Sequence, residues 1–172
     1  MKDRGVGGYT EHVELVFQEL INSVEAIIWE ADFKTSRITY VSQYVQDLLG
    51  YPAERWYNDP GLFPSIVHPD DLDLISRAKA SVTPHNSRYH VSYRVFKASG
   101  EVVYLLDRVS VQFQGDEPVV LRGISTDVSE RVRVEEALAL SVEVTRAASE
   151  MDSALAIAQS CLTRIYDLLK LD

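Results

Sequence analysis

The sequence predicts an α+β domain built on an antiparallel sheet of about five strands and followed by a long helix. Three observations carry that expectation. Strand-type segments come in hairpin-linked groups, at 26–31 with 38–41 and again at 88–97, 101–113 and 118–126. Short helical patterns gather between the two groups, whereas a doubly wound fold would alternate strand and helix throughout. From Val132 to Leu171 there is neither Pro nor Gly, and the apolar period is helical.

Composition bounds the class. The 172 residues are 46% hydrophobic and 25% charged, ordinary for a globular chain with room for one domain and an appendage. A formal net charge of −9 gives no electrostatic footprint for nucleic acid or an anionic membrane surface. The one cysteine, Cys161, allows neither an internal disulfide nor a multi-cysteine metal site. No apolar run approaches the roughly 18 residues of a membrane span, and no signal-peptide core precedes Val13. A cytoplasmic location is the expectation.

Residues 1–9, with Gly5, Gly7 and Gly8, read as a flexible lead. At 10–24, Val13, Val16, Phe17, Leu20, Ile21 and Val24 recur at spacings of three and four, one face of an amphipathic helix. Ala26–Ala31 and Ile38–Val41 form a candidate hairpin across the polar turn Asp32-Phe33-Lys34-Thr35-Ser36. Ser42 offers an N-cap to a short helix through Leu49, which Gly50 closes ahead of Pro52. The proline-rich stretch to Pro64 suits short helical turns. His68-Pro69-Asp70-Asp71 starts a helix to about Val82, with proline pre-set for the first position and two carboxylates at the positive end of the dipole. Arg88–Lys97 and Glu101–Phe113 alternate around the turn Ala98-Ser99-Gly100, and Pro118–Thr126 closes the sheet. At the join, the Asp127 side chain can accept from free backbone N–H groups while Glu130 reaches back, a capping box that passes strand directly into helix.

An ordered set of motifs now stands out: Ile38-Thr39-Tyr40-Val41-Ser42 with Leu48-Leu49-Gly50-Tyr51, Val67-His68-Pro69-Asp70-Asp71, Tyr93-Arg94-Val95 leading to Gly100, and Gly123 with Thr126-Asp127-Val128-Ser129-Glu130-Arg131. In this order and spacing, from about Val24 to Leu140, they resemble the PAS domains of bacterial signalling proteins. The resemblance implies a five-stranded antiparallel sheet, short helices enclosing a ligand cavity on one side, and an exit helix that transmits signals. It also implies that the opening helix packs on the outer sheet face and takes part in dimers. One departure is Tyr104, where many members carry Trp. The domain is placed at 25–127.

Trp29, Tyr40, Tyr93 and Tyr104 are the candidate pocket residues, each offering an aromatic face and a polar handle. Ordinary core packing is the competing account. The cofactor is left unknown: a flavin–cysteine adduct needs a thiol within 52–84, which has none, and His68, His85 and His90 read as cap, loop and strand edge rather than haem ligands. The adjacent Asp70 and Asp71 do not share a helix face and are read as helix-start electrostatics. Neither a metal-ligand spacing, a phosphate-cradling loop nor a nucleophile motif is present, so no catalysis is expected.

Along the last helix, Val134, Ala137, Val144, Ala148, Met151, Leu155, Ala158, Leu162, Ile165 and Leu169 follow the alternating three-four spacing of a coiled-coil seam, with Ser141 at the one missed position. About 40 residues at 1.5 Å each reach on the order of 60 Å, too far for one domain to cover, so a second copy is the expected partner. Residues 128–151 are assigned to this linker. Capping residues at 149–153 leave 152–172 open between continuation of the coil and the first helix of a following domain, such as a GAF domain. The functional expectation is a sensory and dimerisation module, coupled through Thr126, Asp127 and Glu130, which relays a ligand- or partner-induced change to an effector outside this chain. The alternatives are a flavin- or haem-bearing redox or gas sensor and a purely structural interaction domain with a filled core.

Overall fold

In the computed structural model the described residues are 16, 18–21 and 23–169, the side chains of 147, 148, 151, 152, 154, 156 and 164–169 excepted. The expected lead at 1–9 and most of the expected first helix lie outside that set; residues 16, 18–21 and 23 are helical. The chain divides into two units, Met1–Ser129 and Glu130–Asp172.

In the first unit, β1 (Ile27–Asp32) and β2 (Ile38–Val41) form the expected antiparallel hairpin. Its turn is closed by Asp32 Oδ1, which accepts from the Thr35 N–H and hydroxyl at 2.7 Å each, a local bond that competes well with continued strand. Next come α1 (Tyr44–Leu49), α2 (Ala53–Asn58) and α3 (Leu62–Ile66). Gly50 ends α1 at φ 78°, a left-handed conformation, and its N–H donates to Gln46 O at 2.8 Å. Ser42 differs from expectation. The position before α1 is Gln43, and the buried Ser42 hydroxyl instead accepts from the Ile28 N–H at 3.0 Å, fastening the start of α1 to β1. A backbone N–H inside the fold has a stronger claim on that oxygen than a helix end that water can reach.

His68 opens a 3-10 turn, Pro69–Asp71, that leads into α4 (Leu72–Ala80). Asp71 does more than face the helix dipole. Its carboxylate accepts from the Arg94 N–H, Nε and a terminal guanidinium nitrogen at 2.8, 2.8 and 2.7 Å, pinning this connection to the edge of the sheet. The remaining strands are β3 (Arg88–Phe96), β4 (Val102–Gln114) and β5 (Glu117–Asp127). All pairings are antiparallel, in the order β2-β1-β5-β4-β3. The second unit is carried by α5 (Ser129–Leu169).

Alternation puts Val91, Tyr93 and Val95 of β3 and Val103, Leu105, Asp107, Val109 and Val111 of β4 on one face of the sheet. That face packs against Val45 and Leu49 of α1, Trp56 of α2 and Leu62 and Ile66 of α3, so the core lies between sheet and helices.

Candidate functional site: a polar-centred cavity under the helices

The packing between sheet and helices leaves a cavity of about 110 Å³. Its walls are apolar and aromatic, with Trp29 from β1, Trp56 from α2, Phe63 from α3, and Tyr89 and Tyr93 from β3. Phe63 meets Tyr93 edge-on, ring centroids 6.0 Å apart, and Trp56 lies tilted against Phe63 at 6.5 Å. Lys79 and Ser36 border it where α4 meets the β1–β2 turn, with Lys79 Nζ donating to Ser36 Oγ at 2.8 Å.

Two polar side chains stand at the centre. Asp107 is 4% exposed and accepts from the Tyr93 hydroxyl, Oη to Oδ2, at 2.8 Å. Ser125 lies opposite it in the β4–β5 register and accepts from Trp29 Nε1 at 3.0 Å. Burial pushes the Asp107 carboxyl up to about 6, against the opposing pull of Ser125 and Tyr93. Burial and the neighbouring carboxylate raise Tyr93 well above its ordinary range and Tyr89 to about 12. Among the described residues, two buried side-chain polar atoms, Asp107 Oδ1 and Trp56 Nε1, have no partner in hydrogen-bond geometry.

Of the four pocket candidates, the fold brings Trp29 and Tyr93 together at the cavity. Tyr40 borders an open groove on the opposite sheet face, beside Ile28, His90 and the Arg122–Glu30 ion pair at 2.8 Å. Tyr104, between the inward Val103 and Leu105, is turned from the cavity. His68, His85 and His90 are not among the cavity-lining residues. The sequence reading missed Asp107, Ser125 and Trp56. The signal was present for Asp107: it occupies an inward position in an otherwise apolar alternation from Val103 to Val111.

The exit from the sheet is built tightly. Thr126 Oγ1 donates to Leu106 O at 3.3 Å, and Asp127 Oδ1 accepts from the Ser129 N–H at 2.8 Å. Buried Ser129 Oγ in turn accepts from the Tyr104 N–H at 2.9 Å, and the Val128 N–H donates to Tyr104 O at 2.9 Å. Glu130 stands exposed in the first turn of α5. Further along, Val134, Ala137, Val144, Leu155 and Leu162 are exposed, and the Met151 side chain is outside the described set. Among the described residues no helix is long and apolar enough to cross a membrane, and no group of His, Cys, Asp and Glu could hold a metal ion.

A five-stranded antiparallel sheet, closed on one face by short helices over a cavity and leaving through a helix, defines a small α+β domain with an internal cavity. Residues 38–126 match the family model described as the PAS fold, and the chain belongs to that family. It is 32% identical over 124 residues to a methyl sulfide methyltransferase-associated sensor of Methanosarcina acetivorans, a match covering 69% of this chain and 12% of that protein's length. A solved sensory box histidine kinase/response regulator from Burkholderia thailandensis superposes with a TM-score of 0.62 at 27% identity, over 76% of this chain and 97% of that one. The N-terminal domain of a diguanylate cyclase with PAS/PAC sensor from Marinobacter aquaeolei shares the fold, with a TM-score of 0.50 at 24% identity, over 62% of this chain and 97% of that one.

Proposed function

We propose that this chain is the sensory and dimerisation module of a cytoplasmic signal-transduction protein. It holds a small molecule in the cavity under the helices and relays the change through α5 to an effector domain outside these residues. The observation that carries the reading is continuity: Ser125 lines the cavity, and Asp127, two residues on in the same strand, holds the Ser129 N–H at the start of α5. A ligand that moves β5 at Ser125 moves the anchored helix start with it. In a dimer the response is a population shift between two arrangements of the paired helices. The heptad positions Val134, Ala137, Val144, Met151, Leu155 and Leu162 supply the seam. The sensor relatives support a signalling role, and the apolar cavity favours ligand sensing over a purely structural module with a filled core.

The test is mass spectrometry of the denatured, freshly purified protein together with its absorbance spectrum and light-scattering mass. A co-purified molecule and a dimer mass are expected. A bare monomeric chain would remove the reading, and a visible chromophore would replace it with a flavin or haem sensor.

A further inference from the structure

The cavity has a charged mouth. Where α4 meets the β1–β2 turn, half-buried Lys79 and exposed Ser36 both line its edge, with Lys79 Nζ donating to Ser36 Oγ at 2.8 Å. The ammonium also lies over the Phe33 ring, 4.7 Å from its centroid, and among the described residues it has no ion-pair partner. Burial lowers its pKa from the ordinary lysine value, with Asp32 opposing, and the Asp32 carboxylate is already engaged by the Thr35 N–H and hydroxyl. A positive charge that has lost part of its water and gained no carboxylate favours an incoming anion. Ser36 supplies a second donor: its Oγ accepts from Lys79, and its own O–H is given to no other described residue.

Resting on the reading of this cavity as the sensory site, we infer that it takes a short-chain aliphatic carboxylate, its charged end held at the mouth by Lys79 Nζ and the Ser36 hydroxyl and its hydrocarbon tail inside. Two donor groups 2.8 Å apart suit the two oxygens of one carboxylate. A phosphate would call for more donors than the mouth supplies, since the Ser36 N–H is spent on Asp32 O. An amine would meet the ammonium. Inside, Ile27, Val91, Val95 and Leu105 present hydrocarbon together with the Trp56 and Phe63 rings, while buried Asp107 opposes a second carboxylate. The charge of the ligand therefore stays at the mouth. Volume sets the length: an engineered cavity of roughly 150 Å³ holds a benzene ring, so about 110 Å³ leaves room for a tail of about four carbons.

Butyrate is the probe. Butanol keeps its tail without the charge, and acetate keeps the charge with almost no tail. By calorimetry at matched sodium concentration, butyrate is expected to bind about tenfold or more tighter than either, because butanol forgoes the charged contact and acetate the buried methylenes. The same titration followed by proton–nitrogen NMR should shift the Ser36 amide signal saturably. Lys79→Met keeps a stem over Phe33 and removes the ammonium; it is expected to bring butyrate down to the level of butanol, whose own binding persists. Ser36→Gly, which suits the φ of 57° at that position, is expected to weaken butyrate several-fold and leave butanol unchanged. Butyrate that binds no tighter than butanol, or equally well to Lys79→Met, would overturn the carboxylate class while leaving the cavity as a ligand site. No binding of any of the three would overturn it as well. The denatured mass spectrum then separates the two ideas: a co-purified molecule of other chemistry keeps the sensory reading, and a bare chain removes both.

Discussion

Asp107 carries a carboxyl into a core where the Tyr93 hydroxyl donates to Oδ2 and the Ser125 hydroxyl stands beside it, too little to offset its burial. Its folded pKa is raised from 3.8 to about 6, so between those values the folded chain keeps a proton that the unfolded chain releases. Stability from this group is therefore fully present at low pH and falls as pH rises from about 4 to about 6, by on the order of 3 kcal/mol. Asp71 has the opposite sign. The Arg94 guanidinium holds it down to about 2, so its contribution is present above about 4 and lost only on further acidification. The two windows do not overlap, which makes the Asp107 slope separable. The groups beside it are Tyr93 and Tyr89 from β3 and Ser125 from β5. Urea midpoints at about pH 4.5 and about pH 7 should drop more for the wild type than for Asp107→Asn. Parallel pH dependence in the two proteins would mean the carboxyl is ionised at no cost. Gly123 makes a second test at this scale. A Cβ there would lie 2.2 Å from the Trp29 ring, so Gly123→Ala should displace the indole from Ser125 and destabilise by about 1–3 kcal/mol, measured by chemical denaturation. An unchanged midpoint would show that the ring swings clear freely.

At the scale of elements, the junction between β5 and α5 concentrates the hydrogen bonds that hold the helix start. Asp127→Ala should cost about 0.5–2 kcal/mol, and Ser129→Ala, which strands the Tyr104 N–H, about 1–3 kcal/mol. Hydrogen exchange around residues 127–131 should quicken in both; protection equal to wild type would deny the junction that role. This level was also where the sequence was most legible. Local signals decide hairpins and helix stops, so β1 with β2, the Gly50 terminus of α1, the Gly100 turn and the end of β5 lie within a residue or two of expectation. What was not legible depends on partners far along the chain. Asp71 looked like a helix-start charge because Arg94 is 23 residues away. Ser42 looked like a cap because its true partner, the Ile28 N–H, is 14 residues back. Tyr40 and Tyr104 looked equivalent to Trp29 and Tyr93 because side-chain type alone carries no information about sheet face. Parity along β4, from Val103 through Asp107 to Val111, would have separated the faces and exposed the one inward acid.

At the scale of the whole molecule, the two units have different requirements. The inner face of the sheet is buried under the short helices, whereas α5 leaves Val134, Val144, Leu155 and Leu162 more than half exposed, the last two at 61% and 66%. Apolar side chains at heptad spacing stabilise a partnered state by about 1.5–3 kcal/mol each when fully buried, so several together can hold two chains against the cost of association. A carboxylate in such a seam loses its hydration without gaining a partner. The double substitution Leu155→Asp with Leu162→Asp should therefore give a monomer mass by light scattering. It leaves the first unit, which ends at Ser129, untouched, so the near-ultraviolet signature of Trp29 and Trp56 should persist. Loss of that signature along with the dimer would mean that the sheet domain itself depends on pairing. A dimer that survives both carboxylates would move the interface off this seam, and the amphipathic face read at 10–24 would become the next place to substitute.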